Sequence, residues 1–301
     1  MSKMLETKNL AKKYKDFTAL NNVSITVEKG DVYGLIGKNG AGKTTFFKLV
    51  MGLSPKTSGN IEIDNSSSLN KARSKIGFMI GLSFFPYLNP HESIEYYRRV
   101  KGIKDKKETE RVLKLAGLYE VKKPFKSFSL GMKQRLGIAN ALLGNPHIVI
   151  LDEPVNGLDP QGITDIRKII REVNKKENTT FIISSHILSE LDLVATKFGF
   201  INHGVLLKEI SYKELHQQTS KSLIIEVDNF DKAINILETK LKIKDYEKGK
   251  NNEIILNEYL TEPDKVSRLL MENDLKLYTI KKQETTLEEY FFKLVGSGNN
   301  D

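Results

Sequence analysis

Gly37-Lys38-Asn39-Gly40-Ala41-Gly42-Lys43-Thr44-Thr45 carries the densest chemistry in the chain. A glycine, four residues, then Gly-Lys-Thr is the spacing of a phosphate-binding loop. Glycines 37, 40 and 42 let the backbone close round a phosphate chain and reach positive φ. The loop N–H groups, with Asn39, Ala41 and Thr45 between and after the glycines, offer an anion donors and the positive end of the following helix. Lys43 supplies a full charge to the β- and γ-phosphates. Thr44 offers a hydroxyl to Mg²⁺, which prefers hard oxygen ligands. A second cluster follows Ile148-Val149-Ile150-Leu151, where Asp152 and Glu153 stand side by side. Asp152 suits Mg²⁺, directly or through water, and Glu153 suits a general base that polarises an attacking water. His186 ends a third apolar run, Thr180 to Ser185, and could reach a γ-phosphate.

These groups need a common frame. Val32 to Ile36 reads as a buried strand feeding the glycine loop, and Thr44 to Met51 as the helix that leaves it. Ile148 to Leu151 and Thr180 to Ser185 read as further buried parallel strands. Open α/β sheets bind ligands at the C-terminal ends of their strands, where all three groups fall. Taken singly, a surface turn explains the acid pair and a structural residue explains the histidine. Beside a complete phosphate loop, neither explanation accounts for the set.

Phe128-Ser129-Leu130-Gly131-Met132-Lys133-Gln134-Arg135 precedes the acidic strand. Ser129 can cap the helix running on through Ala141, and its hydroxyl with the Gly131 N–H forms a second anion cradle. Together these motifs resemble the nucleotide-binding subunit of ABC transporters over roughly residues 4–210. The resemblance implies an α/β P-loop NTPase domain over 1–215 with a helical subdomain at about 83–145. It implies ATP and Mg²⁺ as cofactors, and Lys43, Glu153 and His186 as the catalytic set. It also implies a head-to-tail dimer in which Ser129 and Gly131 of one copy meet the γ-phosphate held by the other. Tyr14 then takes the position that stacks on adenine, and Asp159 the loop that crosses the dimer. One departure stands out. The family's glutamine, between phosphate loop and signature, falls on Gly81 in Lys75-Ile76-Gly77-Phe78-Met79-Ile80-Gly81.

The closer resemblance is to the bacitracin- and lantibiotic-resistance type. It rests on Tyr33 to Gly37, Ser129 to Leu136, Asn156 to Pro160 and a C-terminal addition ending in Leu287-Glu288-Glu289-Tyr290-Phe291. It implies separate transmembrane permease subunits, antimicrobial or amphipathic peptide export, and a cytoplasmic chain held peripherally on the inner face of the membrane.

Residues 221–301 read as a small α+β domain of order β-α-β-β-α-β, a ferredoxin-like arrangement. Its strands are Ser222 to Val227, one at Tyr246, Glu253 to Leu256 and Lys276 to Ile280. Its helices are Phe230 to Leu241 and one opened by Thr261-Glu262-Pro263, with a last helix from Thr286. Lys213 to Lys221 reads as a helix end and linker, and Gly296 to Asp301 as a loose tail.

The 301 residues carry a net charge of +9 and no cysteine, which excludes disulfides and thiolate sites. Up to Ile210 there are 33 basic and 21 acidic side chains, net +12; beyond it 14 and 17, net −3. The acidic second part lacks an RNA-binding consensus, so no nucleic-acid partner is expected. The stretch from Arg98 to Lys126 is the most basic and, by resemblance, lies near the membrane partner and its anionic headgroups. No apolar run approaches the ~18 residues of a membrane helix. The alternatives are a sensor or regulatory subunit and a soluble ATPase of ribosomes or DNA. A single phosphate loop argues against the ribosomal kind. Roughly 85 residues between loop and signature leave no room for the long coiled coil of the DNA-repair kind.

Overall fold

The structure, a computed structural model, describes residues 2–218, 221–249, 252–284 and 287–297. The chain opens with β1 (Lys3–Tyr14), whose apolar residues Met4, Leu5 and Leu10 are buried. Around it stand β2 (Phe17–Val23) and β3 (Thr26–Glu28). β4 (Val32–Ile36) is buried at every position and passes through the glycine loop into α1 (Lys43–Val50). Next come β5 (Ser58–Ile63), α2 (Leu69–Arg73) and β6 (Ile76–Met79). β1 pairs antiparallel with β2, β3 and β5 in a four-stranded sheet.

Three helices then precede the acidic strand: α3 (Pro90–Val100), α4 (Lys107–Leu115) and α5 (Leu130–Ala141), with a 3-10 turn at Phe125–Ser127. α3 starts on a capping box, in which Asn89 accepts from the Glu92 N–H and Glu92 from the Asn89 N–H. β7 (Ile148–Leu151) leads to α6 (Pro160–Glu177), β8 (Thr180–Ser185), α7 (Leu188–Asp192), β9 (Lys197–Asn202), β10 (Val205–Ser211) and α8 (Tyr212–Gln218). α6 buries Ile166, Ile169, Ile170 and Val173, the one-face spacing of an amphipathic helix.

The second sheet has the order β10-β9-β4-β8-β7-β6. Only β9–β10 is antiparallel; the rest run parallel. β8 thus lies between β4 and β7, and the three strands carrying the candidate chemistry are neighbours. Phe46 and Phe47 of α1 are fully buried in a core with Leu35, Ile150, Ile182 and Ile201. That packing anchors the helix whose first residue is Lys43.

The chain divides into two compact units, one running to Tyr212 and one from Lys213 to Lys293, with the residues from Leu294 grouped with the first. The second contains β11 (Lys221–Val227), α9 (Phe230–Leu241), β12 (Tyr246–Lys248), β13 (Glu253–Leu256), α10 (Pro263–Glu272), β14 (Leu277–Glu284) and the start of α11 (Leu287–Ser297). Its sheet is antiparallel throughout, in the order β12-β13-β11-β14 that a ferredoxin-like unit requires. Leu223, Ile225, Leu237, Ile254, Val266 and Leu270 form its separate core.

Local details depart from expectation. α10 starts within Thr261-Glu262-Pro263 as expected, but its N-cap residue, Glu262, makes no side-chain capping bond. The strand expected over Lys276 to Ile280 is longer, as β14. Gly296 and Ser297 belong to α11 rather than to a loose tail. Thr219, Ser220, Thr286 and the residues after Ser297 lie outside the described residues.

Candidate active site

The glycine loop is shaped by what surrounds it. Gly42 caps α1 with φ 109°, left-handed backbone, and a Cβ there would stand 2.8 Å from the Ala19 carbonyl oxygen. At Gly37 the demand is space: a Cβ would sit 2.4 Å from the Ile201 carbonyl oxygen. The loop lines a cavity of about 310 Å³ with Asn39, Gly40, Ala41, Gly42, Lys43, Thr44, Thr45 and Glu153, closed by Phe17 and Ala19.

Lys43 is the charged centre of this cavity. Its side chain is only 6% exposed, and its ammonium donates to the carbonyls of Gly37 and Lys38. It also lies 3.0 Å from Glu153 Oε1. That contact is ionic: Glu153 Oε1 is buried and accepts no hydrogen bond of good geometry. The other carboxylate oxygen, Oε2, is 2.8 Å from His186 Nδ1. Lys43, Glu153 and His186 therefore form one chain of contacts. The histidine meets the carboxylate, one residue beyond the end of β8.

Thr44, which lines the cavity, is bonded in turn to Asp152. The Thr44 hydroxyl donates to Asp152 Oδ2 at 2.7 Å, and the Ser184 hydroxyl donates to Asp152 Oδ1 at 2.6 Å. Two hard oxygen donors side by side fit Mg²⁺. No cluster of three or more His, Cys, Asp or Glu residues could hold a metal unaided among the described residues. An ion here would draw its remaining oxygens from phosphates and water, as Mg²⁺ commonly does.

Ser129, Gly131 and Asp159 line a different cleft, of about 360 Å³, with Leu130, Met132 and Leu158. Ser129 caps α5 by accepting from the Met132 N–H at 3.4 Å. Asp159 caps α6 by accepting from the Gly162 N–H at 3.0 Å. This cleft shares no lining residue with the phosphate-loop cavity.

Residues 20–156 match the family described as ABC transporter. Bacitracin transport ATP-binding protein BcrA of Bacillus licheniformis is 39% identical over 303 residues, covering 99% of both chains. The chain belongs to the ABC transporter ATP-binding proteins. Lantibiotic transport ATP-binding protein SrtF of Streptococcus pyogenes is 44% identical over 69% of this chain and 91% of its own. Among solved structures, the dimeric post-hydrolysis state of the cassette MJ0796, bound to ADP and Pi, superposes with a TM-score of 0.63 at 26% identity. That match covers 69% of this chain and 99% of the other. The structure of cbiO1 from Clostridium perfringens, part of the transporter complex cbiONQ, superposes with a TM-score of 0.65 at 26% identity, covering 80% and 97%.

The protein is thus an ABC ATPase, and its site combines expected and unexpected placements. The phosphate loop, Asp152, Glu153 and His186 converge. Tyr14 ends β1, 45% exposed, with the Lys12 ammonium 4.6 Å above its ring. It is not among the cavity-lining residues, whereas Phe17, its partner across the β1–β2 turn, is. Gly81 has φ +69°, and no heavy atom lies within 4 Å of where a Cβ would stand. No side chain from that position reaches the Asp152–Thr44 pair. Ser184 and Phe17 escaped the sequence reading; a serine at the end of an otherwise apolar buried strand was the available signal for the first.

Part of the basic stretch is paired within the chain. Arg98 and Arg99 pair with Glu95, Arg111 with Glu108 and Glu177, and Lys114 with Glu110. Hydrogen bonds from Arg98 and then Arg99 hold the Glu95 carboxyl far below its usual range.

Proposed function

We propose that this ABC ATPase powers export of bacitracin-like or lantibiotic-like peptides, acting as a pair of copies bound to separate transmembrane permease subunits. The observation that carries the reading is one cavity lined by Lys43, Thr44 and Glu153, with Asp152 bonded to Thr44 and His186 to Glu153, in a chain matching a bacitracin transport subunit over 99% of both lengths. In this reading the protein works at the inner face of the membrane, held there by the permease. No helix among the described residues is long and apolar enough to cross a bilayer.

Each residue has a task. The loop N–H groups and Lys43 bind the phosphate chain of ATP. Thr44 and Asp152 hold Mg²⁺, which when bound neutralises charge developing on the β- and γ-phosphates. Glu153 Oε1, a buried acceptor with no hydrogen bond of its own, takes a proton from the attacking water. His186 orients that carboxylate through Oε2. Tyr14, with Phe17 beside it, packs on the adenine. Ser129, Gly131 and Asp159 lie outside the phosphate-loop cavity because they serve the ATP held by the second copy. Residues 1–215 form the motor and 221–301 an accessory domain. The exposed Lys104, Lys106, Lys107, Lys122 and Lys126 face anionic headgroups.

The test is bacitracin resistance in cells expressing this chain with its permease. Resistance should rise with the wild-type chain and vanish with Lys43→Ala at equal expression. Resistance that survives Lys43→Ala rejects the motor role. ATPase activity without any effect on resistance rejects the cargo.

A further inference from the structure

We propose that Ser184 is a positioning residue for both halves of the hydrolytic site, setting the metal-binding carboxylate and the general base through one oxygen atom. The proposal rests on the roles assigned above to Asp152 and Glu153.

Ser184 lies in β8 after Phe181-Ile182-Ile183 and is fully buried. A hydroxyl in such a place is costly unless hydrogen-bonded. Its oxygen makes two bonds: it donates to Asp152 Oδ1 at 2.6 Å and accepts the Glu153 N–H at 2.8 Å. The first bond occupies one carboxylate oxygen and turns the other, Oδ2, toward the Thr44 hydroxyl. The second pins the peptide that enters Glu153.

That peptide needs pinning. Glu153 has φ +50°, left-handed backbone that a non-glycine residue adopts only when its surroundings impose it. From this conformation its carboxylate meets both Lys43 and His186. Without the Ser184 acceptor, the Glu153 N–H loses the bond that holds the conformation.

The neighbouring serine shows that the arrangement is specific. Successive side chains of a strand point to opposite faces. The Ser185 hydroxyl bonds Glu190 Oε2 and the Ile187 carbonyl instead, fixing the segment after His186. Strand order explains why this residue reaches both acids: β8 neighbours β7, and Leu151 pairs with Ile183, so Asp152 follows alongside Ser184.

The experiment uses the full chain and the variants Ser184→Ala, Ser184→Thr and Asp152→Asn. ATP affinity is measured without metal, and Mn²⁺ affinity of the complex with a slowly hydrolysed ATP analogue by electron paramagnetic resonance. Ser184→Ala should bind ATP like wild type without metal and lose about 10- to 100-fold in Mn²⁺ affinity and in kcat, the usual effect of removing a partner that orients a ligand. Ser184→Thr, which keeps the hydroxyl, should restore both. Folded Ser184→Ala with wild-type Mn²⁺ affinity overturns the proposal, as does equal loss in the alanine and threonine variants. If Ser184→Ala does not fold, Ser184→Cys is read in its place by the same criteria. Unchanged Mn²⁺ affinity in Asp152→Asn would instead remove Asp152 as a metal ligand, a separate failure.

Discussion

Glu153 faces two partners at once, with Lys43 at one oxygen and His186 at the other. The carboxylate therefore competes electrostatically with phosphate for the lysine and, in the function proposed above, accepts the proton of the attacking water. Glu153→Gln removes the charge and keeps the shape. ATP binding should hold or tighten, while phosphate release falls by about 10² to 10⁴, the range for loss of a general base. The variant should elute as a dimer in MgATP, read by size-exclusion chromatography; a monomer that still hydrolyses ATP would contradict the assignment. At this scale the sequence was most legible where spacing encodes chemistry. Gly37 to Thr45 and Asp152-Glu153 are recognisable because phosphate and Mg²⁺ demand those types in that order. Phe17 and Ser184 were not, because their roles arise from a turn register, which places Phe17 beside Tyr14, and from the pairing of two strands roughly thirty residues apart in the chain.

Among the elements, the helices between Pro90 and Ala141 illustrate how charge serves packing. Arg98 is buried along α3, and its partner Glu95 also takes Arg99 and the Thr109 hydroxyl. The Glu95 carboxyl is held below its ordinary value of 4.5. A depressed carboxyl stabilises the fold above its unfolded pKa and loses that contribution as pH falls through the folded value. Glu95→Gln should therefore lower the melting temperature at neutral pH, with the gap to wild type shrinking below about pH 4. A constant gap across that range would show that the pair contributes packing alone. The helical character of about 83–145 was expected from the resemblance; the cap at Asn89 and the apolar stripe of α6 are local patterns that the structure supplies. The antiparallel sheet built on β1 was not legible, because β1 meets three partners up to about 60 residues away, and its bulges blur the alternation. The start of α10 was legible from the proline in Thr261-Glu262-Pro263, though the capping residue Glu262 makes no side-chain bond.

For the whole molecule, the separation of two cavities within one chain has a direct consequence. If one copy supplies the phosphate loop and the other the Ser129–Gly131 cleft, defects in the two halves complement. Lys43→Ala and Gly131→Asp proteins, each inactive alone, should regain turnover when mixed, toward roughly a quarter of wild-type sites in a two-fold symmetric pair. Mixtures as inactive as their components would argue that each chain works by itself. The division of charge, basic in the first 210 residues and acidic beyond, was visible in the sequence, but the pairing of Arg98, Arg99, Arg111 and Lys114 was not.

β8 is hydrogen-bonded on both flanks, to β4 and β7, and buried at every position. Strands of that kind open only when the whole domain does, whereas loops open locally and often. Amide protons of Phe181 to Ser184 should then be among the slowest in the protein to exchange with deuterium, and those of Lys38 to Gly40 among the fastest. The residue that aligns metal ligand and base would sit in the most persistent part of the domain, so fluctuations of the phosphate loop as nucleotide comes and goes would leave its alignment undisturbed.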